Sequence, residues 1–186
     1  MKRLILLFAC VYVLIGCGRS KDDMDRALAF RQNLLQQNGC RFDCDLTADY
    51  GDILYQFSLS CQADSNGVLS FTVTAPESIS GIAGTISRTG ANVKFDDTVL
   101  GFPILSEDLP TPLSAPYLFL TALRGGYIRA CDMQGNIMSL TIADTYEEDS
   151  IVMNIKLNEE EKPISCEFIW HGRRILSMLI TSFNHL

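Results

Sequence analysis

The chain has 186 residues, 22 acidic against 15 basic, for a net charge of −7, and 47% of it is hydrophobic. That length suits one domain with a substantial core. An acidic surface repels nucleic-acid phosphate and anionic headgroups, which excludes nucleic acid as a partner and charge as the route to a membrane.

Lys2 and Arg3 precede an apolar run over residues 4–15, then Gly16 and Cys17. This is the layout of a secretory signal, with an apolar run shorter than the roughly 20 residues a spanning helix needs. The chain is therefore expected to be exported. Leu14-Ile15-Gly16-Cys17 resembles the lipobox of bacterial lipoproteins. The resemblance implies a signal peptide over 1–16 and Cys17 as the lipidated first residue of the mature chain, with diacylglycerol on its sulfur. It further implies a chain anchored to the outer face of the cell membrane, or to the periplasmic side of an envelope membrane. Loss of Lys2 and Arg3 takes the mature charge from −7 to −9, so attachment rests on acyl chains, at about 0.8 kcal/mol per buried methylene.

Residues 17–21 read as a short lipidated tether and 22–186 as the domain. Asp22 or Asp23 can cap a first helix and Gly39 lies past its end. Met24, Ala27, Leu28, Phe30, Leu34 and Leu35 recur at helical spacing, which predicts an amphipathic helix. The nearby lipid allows it to lie on a membrane surface, but its polar side lacks a Lys and Arg row, which favours packing on a sheet. From Arg41 the period becomes two. Phe42, Cys44, Leu46 and Ala48 alternate with polar residues, Gly51-Asp52 turns the chain, and Tyr55, Phe57, Leu59 and Cys61 follow. Asn66-Gly67 makes the next turn, and Leu69, Phe71 and Val73 continue until Pro76, completing a three-strand meander. Strands over 79–86 and 93–100 follow, with Gly81 and Gly84 marking bending or close backbone approach.

Residues 102–126 differ in kind. A loop with Pro103, Pro110, Pro112 and Pro116 leads to a short helix that Ser114 can cap and Gly125-Gly126 ends. Its Tyr117, Leu118, Phe119, Leu120, Ala122 and Leu123 are apolar on nearly every side, as in a helix that is buried or binds something greasy. Five strands, over 127–133, 137–146, 151–158, 163–171 and 173–183, then follow with hairpin-length connections, so the sheet is antiparallel. The expected fold is mainly β (α+β): a curved antiparallel sheet or half-barrel of about nine to ten strands, covered by the N-terminal helix and the short apolar one.

Of seven cysteines, Cys10 falls in the leader and Cys17 carries lipid, leaving Cys40, Cys44, Cys61, Cys131 and Cys166. From Cys44 onward these lie at apolar strand positions. They read either as small core hydrophobes or as including a disulfide, most simply Cys44 with Cys61. No second closely spaced pair or nearby His completes a zinc set, and no metal or cofactor is expected. There are two histidines, His171 at a strand end and His185 near the terminus, and no nucleophile elbow, phosphate loop or dinucleotide fingerprint. His171 reads as a turn residue, and Asp43, Asp45 and Asp49 as solvated charge. The chain is expected not to be an enzyme.

A sheet this long with one apolar face must curl and be plugged, since exposing that face forfeits roughly 25 cal/mol per Å². The resulting trough suits a lipid, acyl chain or other hydrophobic ligand, gated by 103–124. Its candidate lining is Phe57, Phe71, Leu118, Phe119 and Trp170, each of which also reads as core. The element order, together with the Phe71 to Pro76 stretch followed by Gly81, resembles the LolA and LolB lipoprotein-carrier fold, including the lipid-anchored LolA-like proteins of Gram-positive envelopes such as a spore-germination lipoprotein. That resemblance implies a cavity for acyl chains or, in some members, a scaffold for an envelope protein partner.

Overall fold

The structure is a computed structural model that describes residues 18–95, 98–102, 105–106, 109–147 and 150–186. The leader, Cys17 and residues 96–97, 103–104, 107–108 and 148–149 lie outside them.

Helix α1 (Gly18–Leu35) opens the described chain. The alternating stretch after it forms strands β1 (Gly39–Asp49), β2 (Leu54–Asp64) and β3 (Leu69–Ala75), followed by β4 (Ala83–Ser87), β5 (Gly90–Phe95) and β6 (Thr98–Phe102). A two-stranded ribbon of β7 (Leu105–Ser106) and β8 (Leu109–Pro110) leads into α2 (Ala115–Gly125). The C-terminal meander is β9 (Tyr127–Gln134), β10 (Ile137–Ala143), β11 (Val152–Leu157), β12 (Pro163–Trp170) and β13 (Arg173–His185).

The main sheet has eleven antiparallel strands in the order β6-β5-β4-β3-β2-β1-β13-β12-β11-β10-β9. Two meanders thus meet at β1 and β13, and α2 carries the chain from one far edge to the other. Eleven strands exceed the nine to ten expected because the stretch over 93–100 belongs to two strands, β5 and β6, paired with Val93 opposite Leu100.

Alternation decides which side is dry. Along β1, Cys40, Phe42, Cys44, Leu46 and Ala48 are all buried, and the same rows continue through Leu59 and Cys61 of β2, Met178 and Ile180 of β13 and Cys166 and Phe168 of β12. Register shifts at five strand pairs, among them Asp43/Cys44 and Phe168/Ile169, increase local twist and bend the sheet around its covering helices.

Two local readings need correction. Residues 18–21 are helical, so Asp22 and Asp23 lie within α1 rather than capping it. Its packed face is also narrower than the apolar spacing suggested: Ala27, Phe30 and Leu34 are buried, whereas Leu28 and Leu35 are 51% and 49% exposed. The glycine reading divides in two. A Cβ on Gly84 would lie 2.6 Å from Phe71 Cζ, so the close approach is real there, while Gly81 (φ +88°) serves a turn beside open space.

Candidate functional site

Among the described residues, the inner face of the sheet is occupied by the protein's own side chains. Phe119, Leu120, Ala122 and Leu123 of α2 are buried in one continuous cluster with Ala27, Phe30 and Leu34 of α1 and the inward residues of the strands. The Phe119 ring meets Phe42 edge-on at 5.8 Å, and Phe42 stacks on Phe183 at 5.9 Å. Where both helices meet the ends of β1 and β2, around Leu34, Cys40, Ala63 and Leu120, the remaining space is about 30 Å³. Ligand pockets usually hold roughly 300–1,000 Å³.

Polar contacts latch α2 in place. Arg31 of α1 donates from Nε to the Leu123 carbonyl (2.8 Å) and from Nη2 to the Ala122 carbonyl (3.1 Å), setting a cation on the negative end of the helix. Burial lowers the pKa of this guanidinium from its ordinary value. Arg124 reaches the β2–β3 turn, donating to the Ser65 carbonyl (2.6 Å) and the Asp64 carbonyl (3.3 Å). Ahead of the helix, Tyr50 Oη donates to the Pro110 carbonyl (2.6 Å), and burial, with Tyr55 adding to it, pushes that phenol up to about 12. The Ser114 hydroxyl donates to the Thr111 carbonyl (2.8 Å) and makes no side-chain cap bond to the helix, contrary to expectation.

The five candidate trough residues do not converge. Strand register puts Phe71 in one row with Cys61, Phe42 and Phe183, and Phe119 sits over that row. Phe57 belongs to a different row, with Leu46, Met178 and Cys166, and Trp170 ends β12 opposite Arg173. Phe71 and Phe119 are core, whereas Phe57, Leu118 and Trp170 are half-buried against its margin.

Of the two alternatives for Cys44 and Cys61, the structure has both as free, buried thiols. Register explains this: Cys61 faces Phe42 and Cys44 faces Leu59. The two are diagonal neighbours, for which Cα atoms are about 7–8 Å apart, beyond the usual disulfide span of about 4.4–6.8 Å. They share a thiol hydrogen bond that, with burial, raises Cys61 well above the ordinary thiol range. Burial also pushes Cys40 up to about 11 and Cys166 well above its usual value.

His171 (φ +46°) and Gly172 (φ +74°) form the tight turn between β12 and β13, and the His171 ring rests edge-on against Trp170. The aspartates of β1 take separate partners: Asp43 accepts from Ser182 (2.7 Å), Asp45 from Ser58 (2.6 Å) and Asp49 from Arg173 (3.1 Å). Among the described residues no three His, Cys, Asp or Glu side chains converge as a metal site, and no helix is long and apolar enough to cross a membrane.

A larger opening lies outside the filled face. Between α1, the end of α2 and edge strand β9 there is a crevice of about 570 Å³ bordered by Met24, Leu28, Arg31, Tyr127, Arg129 and Tyr146. Arg129 donates from Nη2 to Ser150 Oγ (2.7 Å). Sequence reasoning missed this crevice because its walls come from elements a hundred residues apart. The available signal was the breadth of the α1 apolar arc, wider than one sheet contact uses.

No family model matches the chain, and no curated protein matches it by sequence. Among solved structures it is similar to an uncharacterized conserved protein from Thermus thermophilus, with 8% identity over 88% of this chain and 87% of that one and a TM-score of 0.51. It is similar to a LolA superfamily protein from Nitrosomonas europaea at 10% identity, covering 85% and 92% with a TM-score of 0.45. A chain of the CwlD amidase–GerS lipoprotein complex from Clostridioides difficile matches at 12% identity, covering 88% and 95% with a TM-score of 0.44. At these identities the likeness is one of fold, carried by the Thermus structure, whose TM-score exceeds 0.5.

Proposed function

We propose that this chain is an exported lipoprotein, held at the membrane by diacylglycerol on Cys17, that acts without catalysis by presenting a LolA-like domain to an envelope protein partner. The observation that carries this reading is the plugged inner face. A lipid entering it would have to displace α2, breaking the Arg31, Arg124 and Tyr50 contacts and uncovering Phe119, which is fully buried. A domain built this way offers its surface rather than its interior. The position of His171, stacked in a hairpin turn, supports the non-enzymatic part of the reading. The lipid-carrier alternative implied by the family resemblance requires an inner face that opens.

Native mass spectrometry with lipid extraction on the purified mature protein tests both parts. The expected result is a covalent lipid on Cys17 and no other bound lipid, even after incubation with phospholipid. A stoichiometric noncovalent lipid, lost in Leu118→Glu, would overturn the filled-face reading in favour of a carrier. A mature chain without covalent lipid would overturn the anchor.

A further inference from the structure

The crevice beside α1 belongs to a broader surface. At 100° per residue, the buried Ala27, Phe30 and Leu34 occupy one side of α1, while Met24, Leu28, Arg31 and Leu35 form a second stripe about 100° further round the helix. Leu28 and Leu35 project from that stripe at 51% and 49% exposure, and Tyr146, 80% exposed, stands across the crevice with its ring against Tyr127. The stripe carries no acidic residue, although Asp22, Asp23 and Asp25 lie on other sides of the same helix. Apolar side chains and two tyrosines within one surface match the layered chemistry of a membrane interface, where aromatic rings sit at headgroup depth.

The residue read as lipidated identifies the occupant. The described part of α1 is already helical at Gly18, one position after Cys17 in the chain. Met24 to Leu35 lie about 9–26 Å along the helix axis from Gly18. We infer that the Met24–Leu28–Arg31–Leu35 stripe and the Tyr127–Tyr146 crevice form a face that lies on the phospholipid bilayer, so that α1 runs along the membrane surface and the far sheet edge, β6, points away. This rests on the reading of Cys17 as the lipidated residue. With a mature charge of −9 the domain has no long-range attraction to the bilayer, and the contact forms because the anchor holds a weakly binding face close to it.

The test uses the mature lipidated protein in phosphatidylethanolamine–phosphatidylglycerol vesicles. Trp170→Phe removes the native tryptophan, and single reporters are placed by Leu28→Trp, Tyr146→Trp and, on the distant strand β6, Leu100→Trp. Bromine on the lipid acyl chains is expected to quench the first two reporters severalfold more than the third. Equal quenching at all three positions, in protein that floats with the vesicles, would overturn the membrane-facing orientation, as would burial of the stripe against a second copy or another protein. Failure to float would mark the loss of the anchor and remove the inference with it, and flotation alone reads that outcome. Hydrogen exchange on the unsubstituted protein guards against misfolded reporters: vesicles should protect residues 24–35 and 145–147 and leave β6 unchanged, and protection confined to other segments would overturn the proposal.

Discussion

Phe119→Ala separates a plug from a lid. The side chain is fully buried and contacts Phe42, which stacks in turn on Phe183. Removing a buried phenylalanine costs about 3–5 kcal/mol, from lost transfer free energy and the cavity left behind. In a chain of this size each kcal/mol lowers Tm by about 2–4 °C, so a fall of about 10 °C is expected. The neighbouring Leu118→Ala, at a half-buried site, should cost about 1 kcal/mol, in line with partial loss of the 1.5–3 kcal/mol of a fully buried leucine. Guanidinium denaturation of the purified mature protein measures both, with an unchanged m-value showing that the same surface is exposed on unfolding. A loss below about 1 kcal/mol for Phe119→Ala would refute the reasoning, because it falls outside the range for a packed aromatic ring.

Further outcomes follow from other contacts. Arg31→Lys should destabilise by about 1–2 kcal/mol, measured by the same denaturation, because one ammonium cannot reproduce a two-pronged bond to the Ala122 and Leu123 carbonyls. Gly84→Ala should cost about 1–3 kcal/mol, since its methyl would collide with the Asn92 carbonyl and the Phe71 ring. Gly125→Ala, whose methyl meets open space at a helical position, should raise stability by about 0.5 kcal/mol and Tm with it. Alkylation followed by mass spectrometry should modify half-buried Cys131 first and reach Cys40, Cys44, Cys61 and Cys166 on unfolding. Burial, assisted by Lys162, lowers the pKa of His185 below 6.5, so its contribution to stability is complete above pH 6.5 and declines as the pH falls through the folded value. His185→Gln should flatten that part of the Tm–pH profile, and an unchanged slope would refute the assignment.

The strands were legible because side-chain period and turn chemistry are local: Asn66-Gly67 and the alternation from Phe42 to Ala48 suffice to place β1 to β3. The two helices were legible for the same reason. The pairing of β1 with β13 was not, since any of several strand edges could satisfy β1 and only the tertiary arrangement chooses among them. Where the candidate trough residues sit relative to one another was hidden for the same reason. Spacing can show that Phe71 and Trp170 face one side of a sheet, but it cannot show that Phe119 of α2 packs over the row that holds Phe42 and Phe71. Leu28 and Leu35 mark the opposite error, because an apolar residue at helical spacing reads as buried whether or not anything covers it.

The meeting of the first and last strands at the middle of the sheet bears on when the fold can close. Asp43 and Ser182, bonded across that junction, are separated by 139 positions in the chain. While the polypeptide is being made from its N-terminus, β1 has β2 on one side and an unfilled edge on the other until β13, the final strand, emerges. Such long-range closure is slow even for a complete chain. A body that cannot finish its central seam until β13 emerges stays loose through most of its synthesis.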